Sequence, residues 1–426
     1  MDDILELADR LWRGETEIAN HHPLGGAGGL TEVTPDIAYV ASFARVSAFK
    51  TEDGLVLVDT GSALAADHIH EVLRQWAPAT SGNRLNTAVF SHGHIDHVFG
   101  VAVFEQESDD KSWAPPQVVA HEAMPARFDR YVMTAGYNGI INRRQFSLPN
   151  LTWPTEYRYP DRTYRESLDV EVGGRLFELH HARGETDDHT WTWIPDRKAL
   201  CTGDLFIWAS PNAGNPQKVQ RYPLEWAQAL RTMQQMGAEM LLPGHGFPVM
   251  GSERVAEALT TTADLLESIV TQTLAMMNSG ARLNDVIHGV EMPADLLALP
   301  WLRPVYDDPE FIVRNLWRQY GGWYDGDPSS LKPAPAAKLA AELAALAGGA
   351  NRLAARAEEL LAAGTDEDLR LAGHLAELAA MAAPADEAVH RVRAGVFSAR
   401  VEAETSTMAK GIFRWAAAES RPAHDH

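Results

Sequence analysis

The chain has few cysteines, few basic residues and no long apolar run, and each shortage excludes something. A single cysteine, Cys201, in 426 residues leaves no internal disulfide. It fits a reducing compartment, so the cytoplasm is the expected location. Lysine and arginine number 37 against 58 aspartates and glutamates, for a formal charge of −21. That balance argues against nucleic acid as a partner, because phosphate binding needs a basic surface. It also disfavours docking on an acidic membrane. No apolar stretch reaches the ~18 residues of a spanning helix. The start, Met1 to Leu7, lacks the basic and apolar parts of a signal peptide. Core material is present: 45% of residues are hydrophobic, in a chain long enough for two or three domains.

The most informative string is His92-Gly93-His94-Ile95-Asp96-His97, just after the strand-like run Thr87-Ala88-Val89-Phe90. Imidazole and carboxylate are the usual zinc ligands, and such sites need several converging from rigid elements. Here His92 and His94 would face one metal, Asp96 and His97 a second. Three partners follow downstream: Arg183-Gly184-Glu185-Thr186, Thr202-Gly203-Asp204 and Pro243-Gly244-His245-Gly246. Each succeeds an apolar run (Leu176 to Leu179, Ala199 to Cys201, Met240 to Leu242), so all can gather along one edge of a sheet. Upstream, Leu55-Val56-Leu57-Val58-Asp59 reads as a buried strand ending in a carboxylate. Asp59 is better placed to orient a ligand histidine than to bind metal.

Together these segments resemble the metallo-β-lactamase superfamily over roughly residues 30–250. The resemblance implies an α/β fold, the αββα sandwich, with its site along one edge. Most members carry histidine where this chain has Glu185. Glutamate there, within Ala182-Arg183-Gly184-Glu185-Thr186-Asp187-Asp188, looks like the alkylsulfatase (class III sulfatase) branch. By that resemblance two Zn(2+) ions bind per chain: His92, His94 and Glu185 hold one, Asp96, His97 and His245 the other, and Asp204 bridges. The bridge is glutamate in the alkylsulfatases and aspartate in the wider superfamily. Asp96, Asp204 and Glu185 are the candidate catalytic carboxylates.

From about residue 252 the turn-rich pattern gives way to helical periodicity, which sets expected domains at 1–252 (catalytic) and 253–426 (helical). Helices are expected from Ser252 to about Asn278 and over Pro309–Tyr320. Ala-rich segments follow at Ala336–Gly348, Ala350–Ala363, Asp366–Met381 and Ala385 to about Ser420. Asp308 to Asn315, with Trp317 and Tyr320 to Gly326, resembles the alkylsulfatase dimerisation domain, which implies a homodimer. Full-length enzymes of that branch carry a further, sterol-carrier-like domain, and this chain is expected to lack it.

Two zinc ions sharing a water would make a nucleophile at neutral pH and take up charge on a substrate oxygen. Glu185, in place of a neutral histidine, adds negative charge. That should make the site less electrophilic and alter its metal preference. In alkylsulfatases a Leu-Arg-Gly segment past the bridging carboxylate grips the sulfate. Here Asn215-Pro216-Gln217-Lys218-Val219-Gln220-Arg221 puts Gln217 at the arginine position. Lys218, Arg221, Arg143 and Arg144 are candidate replacements, with Asn212 and His189 as further candidates beside the site. The leading reading is therefore hydrolysis of an alkyl or other organic sulfate monoester, with a small anionic or ester molecule as the substrate. The alternative is another ester class (carboxylic ester, lactone, β-lactam or phosphoester). A third reading is a non-catalytic binding protein.

Outside the motif, His180 and His181 on one strand are read as structural, and His68, His70, His21 and His22 as surface residues. His424 and His426 are tail residues, and Cys201 is a small buried hydrophobe. Trp191 and Trp193 are read as core. Trp208 and Trp301 are candidates to wall an apolar pocket.

Overall fold

A computed structural model describes residues 4–26 and 29–421, so His424 and His426 lie outside the described residues. The chain folds as two compact units. The first comprises residues 1–135, 153–279 and 286–320; the second comprises 136–152, 280–285 and 321–426.

The first unit contains two mixed sheets. One has seven strands in chain order: β1 (Leu30–Thr34), β2 (Ile37–Val40), β3 (Val46–Thr51), β4 (Gly54–Val58), β5 (Leu85–Val89), β6 (Gln117–His121) and β7 (Arg162–Tyr164). The first four run antiparallel, and β4 to β7 run parallel. The other sheet holds β8 (Ser167–Val172), β9 (Arg175–His181), β10 (Thr190–Ile194), β11 (Ala199–Gly203), β12 (Met240–Pro243) and β13 (Val249–Met250), again with sequential neighbours paired. All five apolar runs read as strands are strands.

Side-chain alternation builds the layers. Val56 and Val58 of β4 point between the sheets, where they meet Val89, Phe177, Leu179, Cys201 and Leu242. Leu55 and Leu57 point the other way, onto Ile69, Leu73, Val101, Phe104 and Phe128 of the covering helices. Helices Pro223–Gln235 and Ser252–Asn278 pack on each other, and the latter also lies against β12 and β13. The result is an αββα sandwich. The switch to helical periodicity at residue 252 thus falls within the first compact unit, because the apolar face of Ser252–Asn278 (Val255, Leu259, Leu266, Ile269) has its partners there.

The second unit is helical. Ala336–Ala347, Ala350–Ala363, Asp366–Ala382, Glu387–Ala403 and Thr407–Glu419 pack in sequence through alanine-rich surfaces. Gly411 lets the last of these approach residues 144 and 145: a Cβ there would sit 2.4 Å from the Gln145 carbonyl oxygen. The Ala-rich segment from Ala385 to about Ser420 forms two helices, interrupted at Glu404–Ser406, where Ser406 caps the second by accepting from the Ala409 N–H. No described helix is long and apolar enough to cross a membrane.

Candidate metal centre

Loops at the carboxyl ends of β5, β9, β11 and β12 meet at one edge of the sandwich and bring seven side chains together. His92, His94, Glu185 and Asp204 form one group, and Asp96, His97 and His245 another. Within each group the ligand-type atoms lie within 4.8 Å of one another. Asp204 spans the two: its Oδ2 is 3.7 Å from His92 Nε2 and 3.4 Å from His245 Nε2, and its Oδ1 is 3.4 Å from His97 Nε2. Asp96 Oδ2 lies 3.5 Å from His97 Nε2 and 3.4 Å from His245 Nε2. Glu185 Oε2 lies 4.0 Å from His92 Nε2 and 3.9 Å from His94 Nδ1. Ligands about 2.0–2.1 Å from a tetrahedral zinc would stand roughly 3.3–3.4 Å apart, close to this spacing.

Three of these inward atoms, His97 Nε2, Glu185 Oε2 and Asp204 Oδ1, are buried without a hydrogen-bond partner. Such atoms are costly unless something occupies the space between them. The donor set is imidazole and carboxylate with no thiolate, and it fits divalent metal.

Tautomers are set from behind. Asp59 is buried and accepts three hydrogen bonds: from Ser91 N–H and Ser91 Oγ at 2.7 Å each, and from His97 Nδ1 at 2.7 Å. A carboxylate only accepts, so His97 carries its proton on Nδ1 and turns the Nε2 lone pair inward. The Ser91 hydroxyl, donating to Asp59, in turn accepts from His92 Nδ1 at 3.0 Å, which leaves His92 Nε2 as an acceptor, 2.7 Å from His94 Nδ1. His245 donates Nδ1–H to the Phe43 carbonyl at 2.7 Å, so that its Nε2 is likewise an acceptor. Asp59 thus lies against His97, the ligand-type histidine that it was expected to orient. Its φ of +60° keeps the carboxylate under the ligand loop.

Electrostatics keep the His92 and His94 rings neutral. Burial, then the neighbouring imidazoles, hold His92 well below its usual pKa. Burial, Arg221 and Arg127 do the same for His94. For Asp204 burial works against ionisation, but His245, His97 and His92 outweigh it and hold the carboxyl well below the usual range. Gly244 is required by proximity: a Cβ there would lie 2.2 Å from Asp204 Oδ1.

Residues 41–245 match the metallo-beta-lactamase superfamily and residues 282–422 match the alkyl sulfatase dimerisation family. The chain pairs a metallo-beta-lactamase domain with an alkylsulfatase dimerisation domain. A linear primary-alkylsulfatase of a Pseudomonas species is 29% identical over 71% of this chain and 60% of its own length. An alkyl/aryl-sulfatase of Saccharomyces cerevisiae is 23% identical over 82% of this chain and 56% of its own length. Among solved structures, a stereoselective inverting sec-alkylsulfatase of Pseudomonas sp. superposes with a TM-score of 0.81 at 22% identity. It covers 93% of this chain and 66% of that one, a likeness that establishes the fold. The chain thus spans less than two thirds of the length of these relatives.

Around the centre of the metallo-beta-lactamase domain the other candidates separate. Arg221, buried, pairs with Glu185 Oε1 at 2.5 Å and donates to the Glu185 carbonyl at 2.9 Å. Asn212 Nδ2 donates to the same Oε1. His189 is buried, stacks on His92 at 4.8 Å and accepts the Asp204 N–H at 3.1 Å. The Lys218 ammonium lies 5.7 Å from the Trp153 ring centre. Burial lowers the Lys218 pKa to about 8, with Asp96 opposing that shift. Gln217 donates its N–H to Asn215 Oδ1 at 3.0 Å. Arg143 and Arg144 belong to the second unit, where the Arg144 guanidinium lies over Trp415.

Sequence reasoning missed Arg127, on helix Met124–Met133. Its Nε meets Asp188 Oδ1 at 2.9 Å, a further nitrogen meets Asp187, and Asp188 Oδ2 accepts the Gly93 N–H at 3.0 Å. The paired aspartates ending the heptapeptide were the available signal for a buried cation, but no spacing pointed to residue 127. Also missed was Asn315, whose side chain clamps the Arg221 main chain at 2.9 and 3.3 Å. Three readings are corrected. Trp301 is buried and stacks on Trp12 at 3.8 Å, whereas Trp208, edge-on to Trp12 at 6.2 Å, does line a small, mainly apolar cavity of about 230 Å³ with Leu5, Ala8 and Val249. His22 is half-buried and bonds the Val305 carbonyl at 3.1 Å. His70 packs on Phe104 and lies 3.3 Å from Glu107. His181 and His180 are structural as expected, stacked on His121 and Trp191 respectively.

Proposed function

We propose that this chain hydrolyses organic sulfate monoesters at a dinuclear zinc centre. The observation that carries the reading is the convergence of the seven side chains, with orphaned lone pairs aimed at the space between them. The alkylsulfatase names of its relatives support the substrate class. His92, His94 and Glu185 would hold one ion, Asp96, His97 and His245 the other, with Asp204 between. When bound, the pair supplies an acidified water and charge stabilisation at an ester oxygen.

The chain's own residues do the rest. Asp59 and Ser91 fix the imidazole tautomers, and Asp188 with Arg127 anchors the Gly93 backbone. His94 and Asp96, with 18% and 19% of their side chains exposed, are the members a substrate can reach. Lys218, whose charge is felt by Asp96, would hold the sulfate charge where the arginine is absent. Arg221 is committed to Glu185. The replacement of arginine by Gln217 also keeps a second reading in view, another ester class hydrolysed by the same centre.

Two copies are expected to associate through the region 282–422. Leu339, Leu343 and Leu346, exposed by 51%, 36% and 83% at helical spacing, supply an apolar stripe that supports this reading. The single buried cysteine fits action in the cytoplasm.

The test is sulfate release by zinc-loaded protein from primary, secondary and aryl sulfate esters, with Asp204→Ala as control. Turnover lost in the variant supports the proposal. Loaded protein that releases no sulfate yet cleaves carboxylic or phosphate esters moves it to the second reading.

A further inference from the structure

Glu185 differs from the other six cluster members in how its charge is met. Its side chain is 3% exposed, as is expected only of a carboxylate with a partner. That partner is Arg221, whose Nη1 reaches both Oε1 and the main-chain oxygen of the same residue, while Asn212 fills a further lone pair of Oε1. Oε2 is left with no hydrogen bond and faces His92 and His94. The clamp is itself held. Asn315 of helix Pro309–Gly321 binds both the N–H and the carbonyl of Arg221, and Arg221 is 2% exposed.

From this arrangement we infer that Arg221 is a positioning residue that makes Glu185 a net-neutral metal ligand binding through one oxygen. The inference rests on the dinuclear reading above and deepens it. A free carboxylate can turn both oxygens to one ion and brings a full negative charge. With Oε1 taken by a guanidinium and an amide, only Oε2 is available, and the ion pair as a unit carries no net charge. The lowered electrophilicity expected from glutamate at this position is therefore largely cancelled. The two changes from a histidine-type site, a carboxylate and a buried arginine, are electrostatically one change. A lysine would not reproduce it, because its ammonium ends one bond short of the place from which Nη1 reaches both Oε1 and the carbonyl.

A double-mutant cycle on zinc affinity tests this, read by competition with a chromophoric chelator. Glu185→His alone leaves a buried guanidinium facing the first ion and should weaken that ion by about tenfold or more. Adding Arg221→Met to it should recover most of the loss, because a neutral ligand then stands without an unpaired cation. Glu185→His binding as tightly as wild type, or a double variant no better than the single, would overturn the inference. If Arg221→Met does not fold, Arg221→Lys in cobalt-loaded protein decides. Release of Oε1 should raise the coordination number and lower the visible absorbance, and an unaltered spectrum would refute the clamp. Wild-type protein that binds no zinc would instead sink the dinuclear reading. Wild type that binds two ions with no coupling between residues 185 and 221 would sink only this inference.

Discussion

Replacing Asp59 by asparagine should cost metal at both positions although residue 59 touches neither. The backbone tolerates the change, since asparagine is among the residues that accept the φ of +60° found there. The hydrogen bonds do not. One side-chain oxygen must still accept the Ser91 N–H, now held at 2.7 Å, which leaves an NH2 group facing Ser91 Oγ and His97 Nδ1. That group donates, so His97 must accept at Nδ1 and carry its proton on Nε2, the atom needed for coordination. Ser91, no longer donating to residue 59, turns its hydroxyl proton toward His92 Nδ1, and the same reversal reaches His92. Loss of such a supporting partner costs roughly 10- to 100-fold in metal affinity, or about 1.4–2.7 kcal/mol. The Asp96, His97 and His245 group should suffer more, being the one directly bonded. Chelator competition on folded protein measures both constants, and Ser91→Ala isolates the relayed part. Zinc constants within about twofold of wild type for Asp59→Asn would refute the tautomer argument.

Three further outcomes follow from the geometry. Burial opposes it, but Asp204 and other nearby carboxylates push His97 up to about 10 and His245 up to about 9 in the metal-free protein. Both pKa values are raised, so their stabilising contribution is complete below the unfolded value near 6.5 and is lost as pH climbs through about 9 to 10. Zinc uptake at pH 7 should release up to two protons, and calorimetric heats that do not vary with buffer ionisation enthalpy would contradict this. Gly244→Ala would place a methyl 2.2 Å from Asp204 Oδ1. A loss of about 1–3 kcal/mol and of bound metal should show in melting curves and metal analysis, and a variant retaining two ions at an unchanged melting temperature would be a failure. Lys218→Met should lower kcat/KM for a sulfate ester roughly 10- to 150-fold with metal content unchanged, as expected for losing about 1.5–3 kcal/mol of charged contact. Unchanged kinetics would remove Lys218 from the anion site.

Local composition was enough to read much of the fold. Apolar runs bounded by Gly, Pro and Asp gave β4, β5, β9, β11 and β12, and the helix bounds Ser252–Asn278 and Ala350–Ala363 coincide with the pattern. The interruption at Glu404–Ser406 was less legible, because a cap residue inside an otherwise helical stretch resembles a polar surface position. The seven cluster residues were legible because each sits in a short string of ligand-type residues at a strand end, where chemistry and local structure share one signal.

What the sequence determined by itself is therefore the local part: which side chains can bind a metal, and which strands deliver them to one edge. Only the tertiary structure decided how those side chains are held. Arg221 lies 36 residues from Glu185 along the chain, Asn315 a further 94, and Arg127 60 from Asp187. No periodicity or motif links such positions. A charge buried in a folded core is met by whichever partner the packing brings near. Glu185 reads in the sequence as an added negative charge, and in the fold as half of an ion pair, because pairing depends on distance in space rather than on order along the chain.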